Sequence, residues 1–286
     1  LVLRKDGHLM IPLLVLLSSL AILHTSPIRA ALFAILSMVV VSWIRKSSRM
    51  GINKIISALI IGAKNSLEVL IACATAGIVV AVLNLTGLGQ IIAAVIVELS
   101  QGIIFFALLL SMIVCIILGM GLPTTPAYII AASVVAPALV QLNVDPMQAH
   151  LFVFYFSCIA VITPPVALAS YTAAGIAKAN PTEVGLVGVR LAIVAFLIPF
   201  MFVFDELLIG NGSLLNISMA ILTALLGVFS LACGVHKFLY FELSRLKSIF
   251  LIIGSLALIF PGLESDIVGI IIFVIVFFSQ RSKMNS

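Results

Sequence analysis

The sequence is a series of long apolar runs separated by short breaks. Hydrophobic residues make up 63% of the 286 residues and charged residues only 9%, whereas soluble domains carry roughly 25% charged residues. Because so few charges cannot form a water-soluble surface, membrane lipid must cover most of this protein. The runs are continuous and do not alternate as the strands of a membrane barrel do. The sequence therefore predicts an all-α polytopic membrane protein.

The basic residues lie between the apolar runs, where they indicate topology and not a surface for nucleic acid. The densest group is Arg45, Lys46, Arg49 and Lys54, which we place in the cytoplasm. If segment 88–99 does not cross the membrane, nearly all other charges follow the same rule. The basic residues then placed inside are Arg4, Lys5, Lys178, Arg190, Lys237, Arg245, Lys247, Arg281 and Lys283. The acidic residues placed outside are Asp205, Glu206, Glu264 and Asp266. Only Arg29 lies on the side that the rule disfavours.

The chain is divided here into three regions. Residues 1–50 should hold two transmembrane helices, and 213–286 should hold additional transmembrane helices. Between them, 51–212 should begin with an amphipathic interfacial helix at 50–65 and a span at 66–84. We expect about ten membrane-inserted helical elements in all.

Residues 103–141 are predicted to form a re-entrant helical hairpin that enters from the outer side. Each apolar arm has about 16 residues, fewer than the roughly 20 that a span needs. No charged residue occurs between Glu98 and Asp145, whereas a tip that reached the cytoplasm would normally carry Lys or Arg. The glycines and prolines at its tip should break the helix and free backbone carbonyls. Thr124 and Thr125 suit the cap of the returning helix, with Pro126 in its first turn.

Residues 148–178 are predicted to form one discontinuous helix. At 31 residues the segment is too long for a straight span. Pro164 and Pro165 remove two consecutive backbone donors, so the helix should be interrupted there, with Thr163 able to cap its second half. A second helix N-terminus should then lie near the depth of the hairpin tip.

Two broken elements that meet inside the membrane are typical of a transporter site. Helix N-termini favour an anion, and free carbonyls and hydroxyls suit Na⁺. The predicted substrate and ion site is Gly119, Gly121, Pro123, Thr124, Thr125, Thr163, Pro164 and Pro165, with Na⁺ ligands sought among Gly119, Thr124, Thr125 and Thr163. This wall contains no Asp, Glu or His to carry a proton, so the sequence favours Na⁺ over H⁺ as the coupling ion and predicts no other cofactor.

Three stretches also carry a family resemblance. Residues 119–128 read GMGLPTTPAY, residues 150–156 read HLFVFYF, and residues 162–167 read ITPPVA. Together they resemble the fused permease of tripartite ATP-independent periplasmic (TRAP) transporters, in its large-subunit, DctM-like region. The resemblance runs from Leu3 to about Gly212, and the further C-terminal spans also resemble the fused form.

The resemblance implies two inverted repeats, an elevator mechanism driven by Na⁺, and substrate delivery by a periplasmic binding protein, with the fused form suggesting the TAXI type. Only one hairpin and one broken helix are visible in this sequence. We therefore expect a C-terminal portion in which residues 1–50 join the repeats and residues 51–212 are the C-terminal repeat of the large subunit, with half of the transport site. It should work with an N-terminal part of the permease. The expected location is a bacterial or archaeal inner membrane, and the expected substrate is a small organic anion whose identity stays open.

Other functional classes fit less well. No HExxH, nucleophile elbow or phosphate-binding loop occurs, so an enzyme is not expected. A non-transporting scaffold would not need two charge-free broken elements, and a channel would conduct without saturable coupling. For His150, near the outer start of the broken helix, a structural interfacial role is favoured over docking or protonation.

Overall fold

The computed structural model describes residues 7–45, 48–259 and 262–281, and this part of the chain is all-α, as predicted. Arg4, Lys5, Lys46 and Lys283, which the topology prediction uses, lie outside the described residues. The helices are α1 Ile11–Ala21, α2 Pro27–Ser42, α3 Ile52–Thr86, α4 Leu88–Ser100, α5 Ile104–Gly119, α6 Thr124–Gln141, α7 Pro146–Ile159, α8 Leu168–Ala177, α9 Pro181–Leu191, α10 Ile198–Phe204, α11 Leu214–His236, α12 Arg245–Ile259 and α13 Leu263–Arg281.

The chain divides into two compact units, residues 1–70 and 71–286. In the first unit α1 and α2 pack as an antiparallel pair. The loop after α2 is held by Trp43, whose indole Nε1 donates to the Met50 carbonyl at 2.9 Å, and Arg49 lies over the same ring. A tryptophan beside basic residues at the end of a helix is typical of a membrane interface.

Helix α3 differs from the prediction. The interfacial helix expected at 50–65 and the span expected at 66–84 form one continuous helix of 35 residues, Ile52–Thr86. Such a helix is about 52 Å long, well beyond the roughly 30 Å of hydrocarbon. No proline or helix-stopping turn separates the two parts, so a change in surface polarity alone did not end the helix.

The second unit is centred on the hairpin α5–α6 and on α7. Helix α7 packs against both arms of the hairpin and against α10. Phe152 and Phe156 of α7 are fully buried, and both rings contact Phe200 of α10, with centroids 5.5 and 6.2 Å away. The buried Gln148 side chain also donates from Nε2 to the Phe202 carbonyl at 3.1 Å. Aromatic packing and this hydrogen bond therefore hold α7 in a fixed position beside the hairpin.

Among the described residues, three helices are by themselves long and apolar enough to cross a membrane: Ile52–Thr86, Thr124–Gln141 and Leu214–His236. The returning arm of the hairpin is one of them, because it has 18 residues where the sequence suggested about 16. Most of the other apolar helices are shorter, as expected of interrupted elements. The fold is that of an all-α polytopic membrane protein.

The apolar segment 185–204 is not one straight helix. Pro181–Leu191 and Ile193–Phe204 meet at an angle of 63°, and residues Ile193–Phe196 are 3₁₀-helical. Pro199 explains much of this, since it has no N–H for the Ala195 carbonyl and its ring crowds that carbonyl. The unit therefore contains an additional break that the sequence analysis did not predict.

Helices α11, α12 and α13 pack through small residues. The Ser248 hydroxyl donates to the Gly234 carbonyl at 2.6 Å, and Ser230 donates to Leu251 at 3.4 Å. In lipid, close approach at small residues and hydrogen bonds between helices replace the hydrophobic effect as the source of helix association. These helices form a compact bundle in the second unit.

Candidate functional site

The hairpin turns at residues 120–123, between the end of α5 at Gly119 and the start of α6 at Thr124. Gly121 has a φ of +77°, a conformation that glycine adopts without strain. Gly119 is buried, and its carbonyl accepts a hydrogen bond from the Leu122 N–H at 3.2 Å. The tip is therefore a short turn that reverses the chain and starts a helix whose N-terminus faces the turn.

The predicted threonine caps are wrong in detail. The N-cap of α6 is Pro123, with no side-chain cap hydrogen bond, so Thr124 and Thr125 are the first residues of the helix itself. Pro126 lies in this first turn, as expected. Proline's fixed φ suits the positions just before and within a helix start, and it starts α6 without a hydroxyl cap.

The discontinuous helix consists of α7, a 3₁₀ turn at Ala160–Ile162, and α8, with the interruption at 163–167. The interruption contains Pro164 and Pro165, joined by a cis peptide bond. Thr163 does not cap α8, since the N-cap there is Ala167. The Thr163 hydroxyl instead donates to the Ile159 carbonyl at 2.9 Å, which leaves its oxygen lone pairs free to accept.

The hairpin tip and the interruption lie against each other. A β-carbon built on Gly121 would lie 3.3 Å from Cγ1 of Val166, and one built on Gly119 would lie 2.8 Å from Cβ of Ala160. Both are shorter than ordinary van der Waals contacts, so glycine is required for this approach. The structure therefore brings together the two breaks that the sequence analysis predicted to meet.

Sequence reasoning missed the residues that support the interruption. Tyr171 of α8 donates from its hydroxyl to the Pro165 carbonyl at 2.6 Å, and Ser170 donates across the break to the Ile162 carbonyl at 3.3 Å. Helix α9 packs behind them, where a β-carbon on Gly185 would lie 3.2 Å from Cγ of Pro164. The signal available was the spacing of Ser170 and Tyr171 after the Pro-Pro pair, one turn into α8.

The predicted site residues differ in exposure. Within the described residues, the hydroxyls of Thr124 and Thr125 form no intramolecular hydrogen bond, and Thr125 is exposed. The carbonyls of Pro164 and Val166 likewise accept no hydrogen bond from the described part of the chain. The full set is placed as follows: Gly119 is buried, Thr124, Thr163 and Pro164 are half-buried, and Gly121, Pro123, Thr125 and Pro165 are exposed.

This arrangement offers hydroxyl and carbonyl oxygens beside the N-termini of α6 and α8. In the described ranges no three His, Cys, Asp or Glu side chains are grouped as metal ligands. A hard monovalent cation can be held by carbonyls and hydroxyls, and a helix N-terminus favours negative charge. Oxygens of this kind suit a hard cation and helix N-termini suit an anionic group, and the Gly119 carbonyl already accepts one hydrogen bond, from Leu122.

The family model described as "Tripartite ATP-independent periplasmic transporter, DctM component" matches residues 2–217. The chain belongs to this family. The match covers α1 to α10 and ends at the start of α11, so most of α11 and all of α12 and α13 lie beyond it. No curated protein and no solved structure matches the chain.

Membership of the DctM family confirms the resemblance read from the three sequence stretches. The chain is a multi-pass membrane permease component of a TRAP transporter, and DctM is a transporter family and not a family of enzymes. The hairpin tip and the interrupted helix both lie within the matched residues.

Proposed function

We propose that this chain is part of a Na⁺-coupled secondary transporter that imports a small organic anion, a carboxylate, by an elevator mechanism. The observation that carries the proposal is the contact of Gly121 with Val166, which brings the hairpin tip against the interrupted helix. Transporter sites are typically built from discontinuous helices whose half-helix N-termini point at anionic groups. The elevator part of the proposal rests on what the resemblance to TRAP permeases implies.

The charge of the substrate follows from the helix ends. The N-terminus of α6 at Thr124 and that of α8 at Leu168 each leave backbone N–H groups without helical partners. Such groups, together with the helix dipole, favour a carboxylate. No Lys or Arg lies between Lys64 and Lys178. This region therefore lacks an arginine that could fix the orientation of a carboxylate through two parallel hydrogen bonds. Substrate identity then depends largely on groups outside this wall.

Na⁺ is the proposed coupling ion. The hydroxyls of Thr124, Thr125 and Thr163 and the free carbonyls of the interruption are oxygen ligands, and the wall has no carboxylate that could carry a proton. Oxygens of unwound backbone are the ligands that coordinate Na⁺ in broken-helix transporters. The carbonyl of Gly119 is a weaker candidate because Leu122 already donates to it.

The proposed partner is a periplasmic substrate-binding protein, of the TAXI type, in a bacterial or archaeal inner membrane. The family description supports a periplasmic component. The helices α11–α13, mostly beyond the family match, support the fused form to which the TAXI type belongs. A second hairpin and broken helix, from an N-terminal part of the permease, would complete the site.

The test is reconstituted uptake. The permease, expressed from its complete reading frame, is placed in proteoliposomes with its genomically neighbouring binding protein. A thermal-shift screen of that binding protein against organic acids first identifies the acid to be used. We expect uptake only with the binding protein, saturating with substrate and following an inward Na⁺ gradient.

Uptake that persists without Na⁺ and follows a pH gradient contradicts Na⁺ coupling. Conductance without saturation or binding protein favours a channel, and no movement of any acid favours a scaffold.

A further inference from the structure

A side-chain contact joins the returning arm of the hairpin to the interrupted helix, away from the tip. The hydroxyl of Tyr128 on α6 and Nδ1 of His150 on α7 are 3.0 Å apart, within hydrogen-bonding distance. The ring of Phe154, one turn further along α7, contacts Tyr128 edge to face with centroids 5.6 Å apart. Tyr128 follows Thr124 by four residues, so it lies on the same face of α6 and about 6 Å beyond the proposed site.

The pair lies at the accessible surface of the second unit. His150 is exposed and Tyr128 is half-exposed in the structure. An imidazole and a phenol hydroxyl turned toward hydrocarbon carry a large desolvation cost, so polar groups inside membrane proteins face a water-filled cavity or another protein surface. Thr125 is exposed on the same arm. Polar groups on the surface that carries Thr125, Tyr128 and His150 suit an aqueous path or a protein interface better than hydrocarbon.

His150 is also the one side chain between Lys64 and Lys178 that can carry a positive charge. In one neutral tautomer the Tyr128 hydroxyl donates to Nδ1 and Nε2 carries the proton, and in the other Nδ1 donates to the tyrosine oxygen, so either leaves one donor free. In the charged form Nδ1 donates to the tyrosine oxygen, which frees the tyrosine proton. In the charged form the pair therefore presents two hydrogen-bond donors and a positive charge, whereas in the neutral form it presents one donor and no charge.

We propose that Tyr128 and His150 form an anion contact at the approach to the transport site, with specificity for a carboxylate that increases when His150 is protonated. This inference rests on the proposed function, since it takes the transported molecule to be an organic acid. The pair is a specificity-determining element beside the threonine wall, and it leaves Na⁺ as the coupling ion.

Few other charges act on this pair. Helices α5 and α6 carry no Asp, Glu, Lys or Arg, and neither does α10, which packs on α7. Acidic groups at the ends of the neighbouring helices are Glu98 of α4, Asp145 and Asp205. The Asp145 carboxylate caps α7 by accepting from Met147 N–H at 2.8 Å, and the Asp205 carboxylate accepts from Leu207 N–H at 3.0 Å. Among the helices named here, His150 is thus the side chain that can present a positive charge on this surface.

The first experiment measures uptake against pH. In the full permease with its binding protein, we expect the KM for the acid to rise roughly fivefold to tenfold with increasing pH, as His150 loses its proton and one charge-assisted hydrogen bond is lost, with little change in kcat. His150→Gln should remove this dependence, and Tyr128→Phe should reduce it. His236→Gln, at the end of α11, is the matched control and should keep the wild-type profile.

A second measurement does not depend on transport. Histidine imidazole NMR of the permease in nanodiscs, with the His150 signal assigned through His150→Gln, follows its titration with and without acetate, succinate or citrate. A bound carboxylate favours the charged imidazole, so at least one of these acids should raise the titration midpoint by about half a pH unit.

The two readouts separate the two claims. The role of the pair is overturned if uptake depends on the binding protein but has the same pH profile in the wild type, His150→Gln and His236→Gln. That result leaves the proposed function standing. Absence of any acid uptake rejects the proposed function, and the NMR result then decides alone whether the pair binds a carboxylate. An unchanged His150 midpoint with all three acids overturns the inference.

Discussion

Gly121 and Val166 join the two interrupted elements of this permease. A β-carbon built on Gly121 would lie 3.3 Å from Cγ1 of Val166, and the glycine itself has a φ of +77°. One residue therefore provides both the reversal of the hairpin and its contact with the interruption. This contact explains how two stretches separated by about forty residues can contribute to one site.

Gly121→Ala should impair the site in two ways, by backbone strain and by displacing Val166. Gly102→Ala is the matched control, because Gly102 has the same φ of +77° but nothing within 4 Å of an added β-carbon. We expect both variants to lose about 1–2 kcal/mol of stability from strain. Gly121→Ala alone should also reduce uptake at least fivefold. Thermal unfolding and uptake measure the two effects, and equal uptake by the two variants would contradict the role of the contact.

Gly119→Ala should separate the first arm of the hairpin from the interrupted helix. The added methyl group would lie 2.8 Å from Cβ of Ala160 in a fully buried position, and overpacking of this kind costs about 1–3 kcal/mol. Gly175→Ala on α8, with nothing within 4 Å, should be neutral or slightly stabilising. Addition of Ala160→Gly should restore most of the lost stability. If the double variant unfolds as early as Gly119→Ala alone, the contact is not the cause.

Replacing the site threonines by valine should weaken Na⁺ dependence, because valine keeps the shape and removes the oxygen. For Thr124→Val and Thr163→Val we expect the Na⁺ concentration for half-maximal uptake to rise roughly tenfold, which corresponds to about 1.4 kcal/mol of lost binding. Thr172→Val is the control, since its hydroxyl only donates to the Leu168 carbonyl on the exposed face of α8. A wild-type Na⁺ dependence in both site variants would remove these hydroxyls from the ion site.

The prediction that the hairpin is re-entrant can be tested by cysteine labelling. In a permease whose four native cysteines are replaced, Thr124→Cys and Lys178→Cys are treated with a membrane-impermeant thiol reagent from each side. We expect Lys178→Cys to react from the cytoplasmic side. Thr124→Cys should react only in some transport states, with protection by Na⁺ or substrate. Unrestricted reaction of Thr124→Cys from the cytoplasm in every state would mean that the hairpin crosses the membrane.

The positions of the interruptions could be predicted because glycine and proline act locally. Gly121 permits a positive φ, and Pro164 with Pro165 removes consecutive backbone donors, whatever the surroundings. The helix caps could not be predicted as well. A threonine near a helix start can cap it, precede it or lie inside it, and the backbone placed the starts at Thr124 and at Leu168.

Apolar runs likewise indicated where helices lie but not how they are joined. The sequence predicted two elements over 50–84, and the structure has one helix, Ile52–Thr86, because a polar stretch without proline does not end a helix. The sequence predicted one element over 185–204, and the structure bends it by 63°. The effect of Pro199 in this bend depends on whether neighbouring helices hold the segment straight.

The sequence alone determined that the chain is a helical membrane protein, because 9% charged residues cannot form a water-soluble surface, and it marked both interruptions. Only the tertiary structure decided that the two interruptions touch, that Tyr171 and Ser170 support the second, and that Tyr128 meets His150. The physical reason is the distance along the chain over which each effect acts. Composition and local backbone preferences act within a few residues, whereas contacts between the hairpin and the interrupted helix depend on how whole helices pack.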